Sequence, residues 1–117
     1  MPVKVLVTGA RDWTNQEAVY RELDSFPDDT IVIEGGAAGA DRCAKVAAIR
    51  LAFGIHTHLA DWAKYGKAAG PIRNAEMLKE QPDIVIAFHT DLEHSKGTKD
   101  MVTKAIAAGI PVRLITA

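Results

Sequence analysis

Two short glycine-containing segments carry the residue types of an anion-binding site. The first is "GGAAGAD" at residues 35–41, which leads from an apolar run into an alanine-rich segment, and the second is Lys96-Gly97-Thr98. Glycine lets the backbone turn sharply and approach a ligand closely, and the first N–H groups of a helix attract phosphate or carboxylate. We therefore expect an anionic ligand to lie against these residues: Gly35, Gly36, Gly39, Ala40, Gly97 and Thr98.

Charged residues follow other apolar runs in the same way. The segment "TGARDW" at residues 8–13 places Gly9, Arg11 and Asp12 directly after the first run. We expect these three residues in the site, although Arg11 and Asp12 are also able to pair with each other. Arg73 is either a contact to the ligand or a solvated charge on a helix, and its position in the chain alone leaves both uses open.

Aromatic and histidine side chains add further alternatives. Trp62 and Tyr65 form either a platform for a nucleotide base or a hydrophobic lid. His56 and His58 alternate along one apolar run, but no third ligand has a suitable spacing, so no metal site is expected. The segment "FHTDLEHSK" at residues 88–96 has the composition of a solvated polar loop.

The elements that must position these residues are short strands alternating with helices. Five apolar runs are suited to buried strands: 3–7, 30–34, 55–59, 83–88 and 112–116. A capping box of Thr14 and Glu17 predicts the first helix, which ends before Pro27. Three more helices are predicted over about 38–53 with Gly54 as its C′ glycine, from Pro71 to before Pro82, and from Thr98 to Gly109.

This alternation predicts an α/β fold. Strands that are apolar on both faces form a parallel sheet covered by helices on both sides, with right-handed crossovers. We expect a Rossmann-like domain of three layers over residues 1–117, with five parallel strands in the order 3-2-1-4-5. Ligands of such sheets bind at the carboxyl ends of the strands, at the switch point between the first and fourth strands.

Composition limits the partners. The chain has 117 residues, 14 basic and 15 acidic side chains and a net charge of −1, so neither nucleic acid nor a membrane surface is an expected partner. Cys43 is the single cysteine, and "MPVKVLV" lacks a secretory signal pattern, which together predict a cytoplasmic location. An exposed edge strand predicts a homodimer or a larger homo-oligomer.

The motifs resemble a known group of proteins. "TGARDW", "EGGAAGADR", "ADWAKYGKAAGPIRNAEML" and "GTKDM" are similar, in order and spacing, to the SLOG superfamily and most of all to its YspA-like, or YAcAr, branch. This superfamily is related to the Lonely Guy and DprA proteins. The resemblance implies a Rossmann-like fold that binds nucleotides or nucleotide-derived ligands, with Arg73 and Asn74 among the ligand contacts and no further cofactor required.

The resemblance also raises the question of catalysis. Lonely Guy enzymes cleave the N-glycosidic bond of an adenosine monophosphate derivative, and their catalytic glutamate corresponds to Met101 here. Because that cleavage develops positive charge on the ribose, a nearby carboxylate is the expected stabiliser. The candidate carboxylates are Glu34, Asp41 and Asp100, of which Asp41 is also a candidate ligand contact, and none is assigned a catalytic role.

Two functions therefore stay open. The first is a binding module that senses, carries or sequesters a nucleotide-like ligand. The alternative is a phosphoribohydrolase-like enzyme acting on such a ligand. Binding of single-stranded DNA is disfavoured, because the net charge is −1 and the sequence has no basic stripe.

Overall fold

The five strands form one parallel sheet. The computed structural model describes residues 1–117, and its strands are β1 (Lys4–Gly9), β2 (Ile31–Glu34), β3 (Gly54–Thr57), β4 (Ile84–Phe88) and β5 (Val112–Ile115). Their order is β3-β2-β1-β4-β5, and every neighbouring pair is parallel. The predicted fold class and strand order are confirmed.

Helices cover both faces of the sheet. They are α1 (Gln16–Leu23), α2 (Ala40–Arg50), α3 (Trp62–Tyr65), α4 (Ala69–Leu78) and α5 (Gly97–Ala107). Successive residues of β1 point to opposite faces. Val5 and Val7 belong to the larger hydrophobic cluster with α1 and α2, while Leu6 belongs to a smaller one with Met77 of α4 and Met101 of α5. Both faces are therefore buried, as a parallel sheet requires.

The register brings three loops together at one edge of the sheet. β1 pairs with β4 as far as Gly9 opposite Phe88, and with β2 on its other side. The chain leaves β1 and β2 for helices of one layer and leaves β4 for a helix of the other. The loops that follow β1, β2 and β4 consequently open around the switch point between β1 and β4.

Helix starts differ from prediction in two places. The N-cap of α1 is Asn15, whose Oδ1 accepts a hydrogen bond from the N–H of Ala18 at 3.1 Å, so the capping box expected at Thr14 is wrong by one residue. α4 begins at Ala69, two residues before Pro71. Pro71 is tolerated there because the N–H groups of the first turn have no acceptor within the helix.

The end of α2 and the segment before α4 also differ. α2 stops at Arg50, and the left-handed residue beyond it is Ala52, with φ of 58°, so Gly54 begins β3 and is not the predicted C′ glycine. The segment between β3 and α4, for which no helix was predicted, contains α3 and a 3₁₀ turn at Gly66–Ala68. Asp61 starts α3, because its carboxylate accepts a hydrogen bond from the N–H of Lys64 at 3.1 Å.

None of the helices is both long enough and apolar enough to cross a membrane. β3 and β5 are the edge strands of the sheet. Self-association of the chain stays a prediction.

Candidate functional site

A cleft of about 290 Å³ opens at the carboxyl edge of the sheet. It lies beside the switch point, since its walls come from the end of β1, the β2–α2 loop and the β4–α5 loop. Three cations line it, Arg11, Arg73 and Lys96, against a single carboxylate, Asp41. The cleft is therefore predominantly cationic, and the polar residues predicted after β1, β2 and β4 do meet around it.

The start of α5 presents free hydrogen-bond donors to this cleft. The Oγ of Ser95 accepts a hydrogen bond from the N–H of Thr98 at 3.1 Å. The N–H groups of Lys96 and Gly97, both residues of the cleft wall, have no partner within the chain. A Cβ added at Gly97 would meet nothing within 4 Å. Unpaired amides at the positive end of a helix dipole suit an anion.

The β2–α2 loop differs, because its own carboxylates already bind its amides. The Oε1 of Glu34 accepts a hydrogen bond from the N–H of Gly36 at 2.6 Å. The Oδ2 of Asp41 accepts from Gly35 at 3.1 Å and from Ala37 at 3.3 Å. The amides of Gly35 and Gly36 are therefore already hydrogen-bonded within the loop, and the contact of a ligand with these two residues stays a prediction.

The glycines at this end of the sheet make room for protein backbone. Gly39 has φ of 74°, and a Cβ there would lie 2.2 Å from the carbonyl oxygen of Ala10. The N–H of Ala40 donates to that same oxygen at 3.0 Å. A Cβ at Gly9 would lie 2.3 Å from the carbonyl oxygen of Phe88. Gly39 and Ala40 thus hold two loops together and do not line the cleft, so their role as ligand contacts stays a prediction, whereas Gly9 also borders the cleft.

Two of the three candidate carboxylates are committed elsewhere. Glu34 is 1% exposed, and its second oxygen accepts a hydrogen bond from the hydroxyl of Thr57. Asp100 is bound to Lys104 at 2.5 Å. Neither carboxylate lines the cleft, because each is consumed by contacts that hold secondary structure together. Glu34 and Asp100 therefore hold the fold together in this structure, and a catalytic role for either stays a prediction.

Asp41 is the carboxylate that remains. It is 6% exposed, and its Oδ1 makes no hydrogen bond within the chain. No fully buried polar side-chain atom lacks a hydrogen-bond partner. Because Oδ1 has no partner, it is not fully buried, and it reaches the surface of the cleft that Asp41 lines. Burial, supported by the negative charge of Glu34, raises the pKa of Asp41 to about 6 against the opposing effect of two amides and Arg73.

Arg73 and Asn74 are adjacent in sequence but act in different places. Arg73 donates through Nη1 to the carbonyl oxygen of Gly35 at 2.8 Å and through Nε to Oδ1 of Asn74 at 3.0 Å. Its Nη2 has no hydrogen-bond partner within the chain, and Arg73 lines the cleft. Burial lowers its pKa, and the nearby positive charge of Arg11 acts in the same direction, while Asp41 opposes both.

Asn74 lies beneath the cleft. It is 2% exposed, and its Nδ2 donates to the carbonyl oxygen of Gly97 at 3.2 Å and to Asp100 at 3.0 Å. These bonds tie α4 to the start of α5. Asn74 therefore positions the start of α5 and does not line the cleft, and its role as a ligand contact stays a prediction. Thr98, the other buried residue at this point, does line the cleft.

Arg11 and Asp12 are likewise adjacent in sequence but line different depressions. Arg11 lines the cleft, and its guanidinium carbon lies 5.7 Å from the ring centroid of Trp62. Asp12 belongs to a different depression, beside Trp13 and Thr14. Arg11 is therefore available to a ligand in the cleft, whereas Asp12 lies outside the cleft and its contact with a ligand stays a prediction.

Sequence reasoning missed several residues of the cleft, among them His89. Its Nδ1 accepts a hydrogen bond from the N–H of Asp91 at 2.9 Å, and its ring lines the cleft. The neutral ring accordingly carries its proton on Nε2, which makes Nε2 a donor. The available signal was its position: His89 directly follows β4 and so lies at the carboxyl edge beside the switch point.

The fold and the cleft define a Rossmann-like α/β domain. DNA processing protein A (DprA) from Streptococcus pneumoniae has the same fold, with a TM-score of 0.77 and 17% sequence identity over 97% of this chain. The chain spans half the length of that DprA chain. At this identity the likeness shows the fold.

Sequence comparison identifies the family. Residues 3–65 match YAcAr, described as the YspA, cpYpsA-related SLOG family. The Gene 61 protein of Mycobacterium phage D29 is 38% identical over an alignment of 122 positions, gaps included, that covers 93% of each chain. The chain belongs to the YAcAr family, and the resemblance drawn from its motifs is confirmed.

Proposed function

We propose that the cleft binds a nucleotide or nucleotide-derived ligand through its phosphate. The observation that carries the proposal is the convergence of Arg11, Arg73 and Lys96 with the free amides at the start of α5 on one cleft of about 290 Å³. Guanidinium groups and helix N-termini are complementary binders of phosphate. Membership of a SLOG family supports the same ligand class.

The two sides of the cleft suit different parts of such a ligand. The phosphate fits the α5 side, where Lys96 and the amides of Lys96 and Gly97 are free. The negative charge of Asp41 would repel a phosphate that lies about 4 Å from it. The Oδ1 of Asp41 is instead suited to accept a hydrogen bond from a hydroxyl group. A phosphorylated sugar satisfies both sides, with a ribose hydroxyl on Asp41.

Calorimetric titration with adenosine monophosphate and with adenosine tests this assignment. The wild type is expected to bind the phosphorylated compound and to bind adenosine at least about tenfold more weakly, because the charge-assisted contacts are lost. Arg11→Ala removes an exposed cation whose side chain makes one loose contact, with Trp62, so the fold is retained. It is expected to weaken binding of the monophosphate.

Arg21→Ala is the matched control, since Arg21 is an exposed arginine on α1 outside the cleft. Equal affinities of the two variants for the monophosphate, or equal affinities of the wild type for the two compounds, would overturn the proposal.

A second candidate function is favoured by Asp41. Cleavage of an N-glycosidic bond develops positive charge on the ribose, and a buried carboxylate facing the cleft stabilises that charge. With its pKa raised to about 6, Asp41 is mostly ionised at pH 7. Incubation of the protein with adenosine monophosphate would then release adenine and ribose 5-phosphate, and Asp41→Asn would stop the release while retaining binding. Binding without release assigns the chain as a binding module.

A further inference from the structure

An exposed tryptophan forms the wall of a groove that continues from the cleft. Trp62 is 49% exposed, whereas the other tryptophan, Trp13, is 7% exposed and packs in the core. The groove has a volume of about 360 Å³ and shares Arg11, Ala37 and Arg73 with the cleft. One ligand is therefore able to occupy both, with one part of it against Trp62.

The ring of Trp62 is held by the fold. It begins α3, whose first turn is capped by the carboxylate of Asp61. A Cβ added at Gly70 would lie 3.3 Å from the Cη2 atom of Trp62, so the edge of the indole rests where α4 has no side chain. The ring is thus supported from below by a helix while about half of the residue stays in contact with solvent.

One face of the ring is covered loosely by a cation. The guanidinium carbon of Arg11 lies 5.7 Å from the ring centroid, close to the outer limit of about 6 Å for a cation–π contact. Arg11 is exposed and also lines the cleft, so its guanidinium can move from the ring to a phosphate without a change of backbone. The ring face is then free for a planar group.

We propose, on the basis of the phosphate-binding function above, that Trp62 stacks on the base of a nucleoside monophosphate whose phosphate lies at the start of α5. Binding exchanges partners: the base replaces Arg11 on the indole, and Arg11 turns to the phosphate. Stacking of a base on an aromatic side chain is worth about tenfold or more in affinity.

The groove also sets the selectivity for the base. Besides Trp62 and the two arginines, its wall consists of Leu59, Ala60 and the residues at 35–38, which are glycine and alanine. Arg73 donates Nη1 to the carbonyl oxygen of Gly35 and is assigned, like Arg11, to the phosphate. No side chain is left to read the hydrogen-bonding edge of a base, so the site takes any nucleoside monophosphate and favours the larger stacking area of purines.

Comparison of adenosine monophosphate with ribose 5-phosphate tests the assignment. The wild type is expected to bind the nucleotide about tenfold more tightly than the sugar phosphate and to show quenching of tryptophan fluorescence with the nucleotide only. Trp62→Leu should remove both differences and leave the affinity for ribose 5-phosphate unchanged. Tyr65→Leu is the matched control, because Tyr65 is exposed on the same short helix and lines neither the groove nor the cleft.

Equal binding of the two compounds by the wild type, or an unchanged ratio in Trp62→Leu, would overturn the stacking role and leave the phosphate site standing. A wild type that binds neither compound would overturn both proposals.

Discussion

The β2–α2 loop and the β4–α5 loop look alike in sequence and differ in what their amides do. In the first, Glu34 and Asp41 accept hydrogen bonds from three backbone N–H groups within the loop. In the second, Ser95 accepts one, and the amides of Lys96 and Gly97 are free. A carboxylate of the protein occupies the position in one loop that an anionic ligand is proposed to occupy in the other.

The difference follows from the side chains that flank the glycines. An acid precedes the first glycine pair and another follows the third glycine, so the loop closes on itself. The second loop is flanked by a hydroxyl and by Lys96, neither of which can fill an anion site. One loop therefore builds a rigid, negatively charged wall of the cleft, and the other leaves a positively charged wall open.

The largest expected effect is a difference in stability between variants in which a glycine of each loop is replaced. Gly39→Ala should reduce the free energy of unfolding by more than about 4 kcal/mol or prevent folding, because φ is 74° and the new Cβ would lie 2.2 Å from the oxygen of Ala10. Gly97→Ala should change it by less than about 1 kcal/mol, since nothing lies within 4 Å of the new Cβ. Urea unfolding of both variants measures the difference, and similar losses would mean that both loops are packed alike.

The next largest effect is a difference in stability between variants that remove a side-chain hydrogen-bond acceptor from each loop. Glu34→Ala should cost about 3 kcal/mol, because it leaves the amide of Gly36 and the hydroxyl of Thr57 without their partner in a buried place. Ser95→Ala should cost about 1 kcal/mol, as for the loss of a helix cap. Chemical denaturation is again the measurement. A larger loss for Ser95→Ala would reverse the assignment of the closed and the open loop.

A smaller effect concerns ligand affinity at the two helix starts. Lys96→Ala should weaken binding of adenosine monophosphate by about 1–2 kcal/mol, because Lys96 lines the cleft. Arg42→Ala removes an exposed cation from the first turn of α2, outside the cleft, and should leave the affinity unchanged within about twofold. Calorimetry at low and high salt compares them. The opposite ranking would place the anion at α2.

The fold was predictable because burial on both sheet faces leaves a simple pattern. Continuous apolar runs such as Val5, Leu6 and Val7 serve both layers, and the intervening helices fix a parallel order. The edge of the sheet that carries the site followed from the same order. Which residues line the cleft and which hold the loops together did not follow from that order, because it depends on side chains that reach from one loop to another.

Adjacent residues show why. Arg73 reaches the cleft while Asn74 points between α4 and α5, and Arg11 lines the cleft while Asp12 does not. One step along a helix turns a side chain by about 100°, so a motif does not say which of two neighbours faces the ligand. The closing of the first loop depends on Asp41 reaching back to Gly35, a contact that spacing alone does not reveal.

The smallest expected effect is a pH dependence that arises from the negative wall. Burial raises the folded-state pKa of Asp41 to about 6, so the group is ionised above that pH and neutral below it. When Asp41 loses its charge, it no longer repels the phosphate of the ligand. The affinity for adenosine monophosphate should therefore rise about twofold to fivefold as the pH is lowered from 7 to 5.5.

The phosphate of the ligand also titrates over this range, so a variant must separate the two causes. Asp41→Asn keeps an oxygen for the amides of Gly35 and Ala37 but cannot ionise. The part of the pH dependence that disappears in Asp41→Asn belongs to Asp41. If Asp41→Asn retains the whole rise in affinity between pH 7 and pH 5.5, the carboxylate that closes the first loop does not control the charge that the ligand meets.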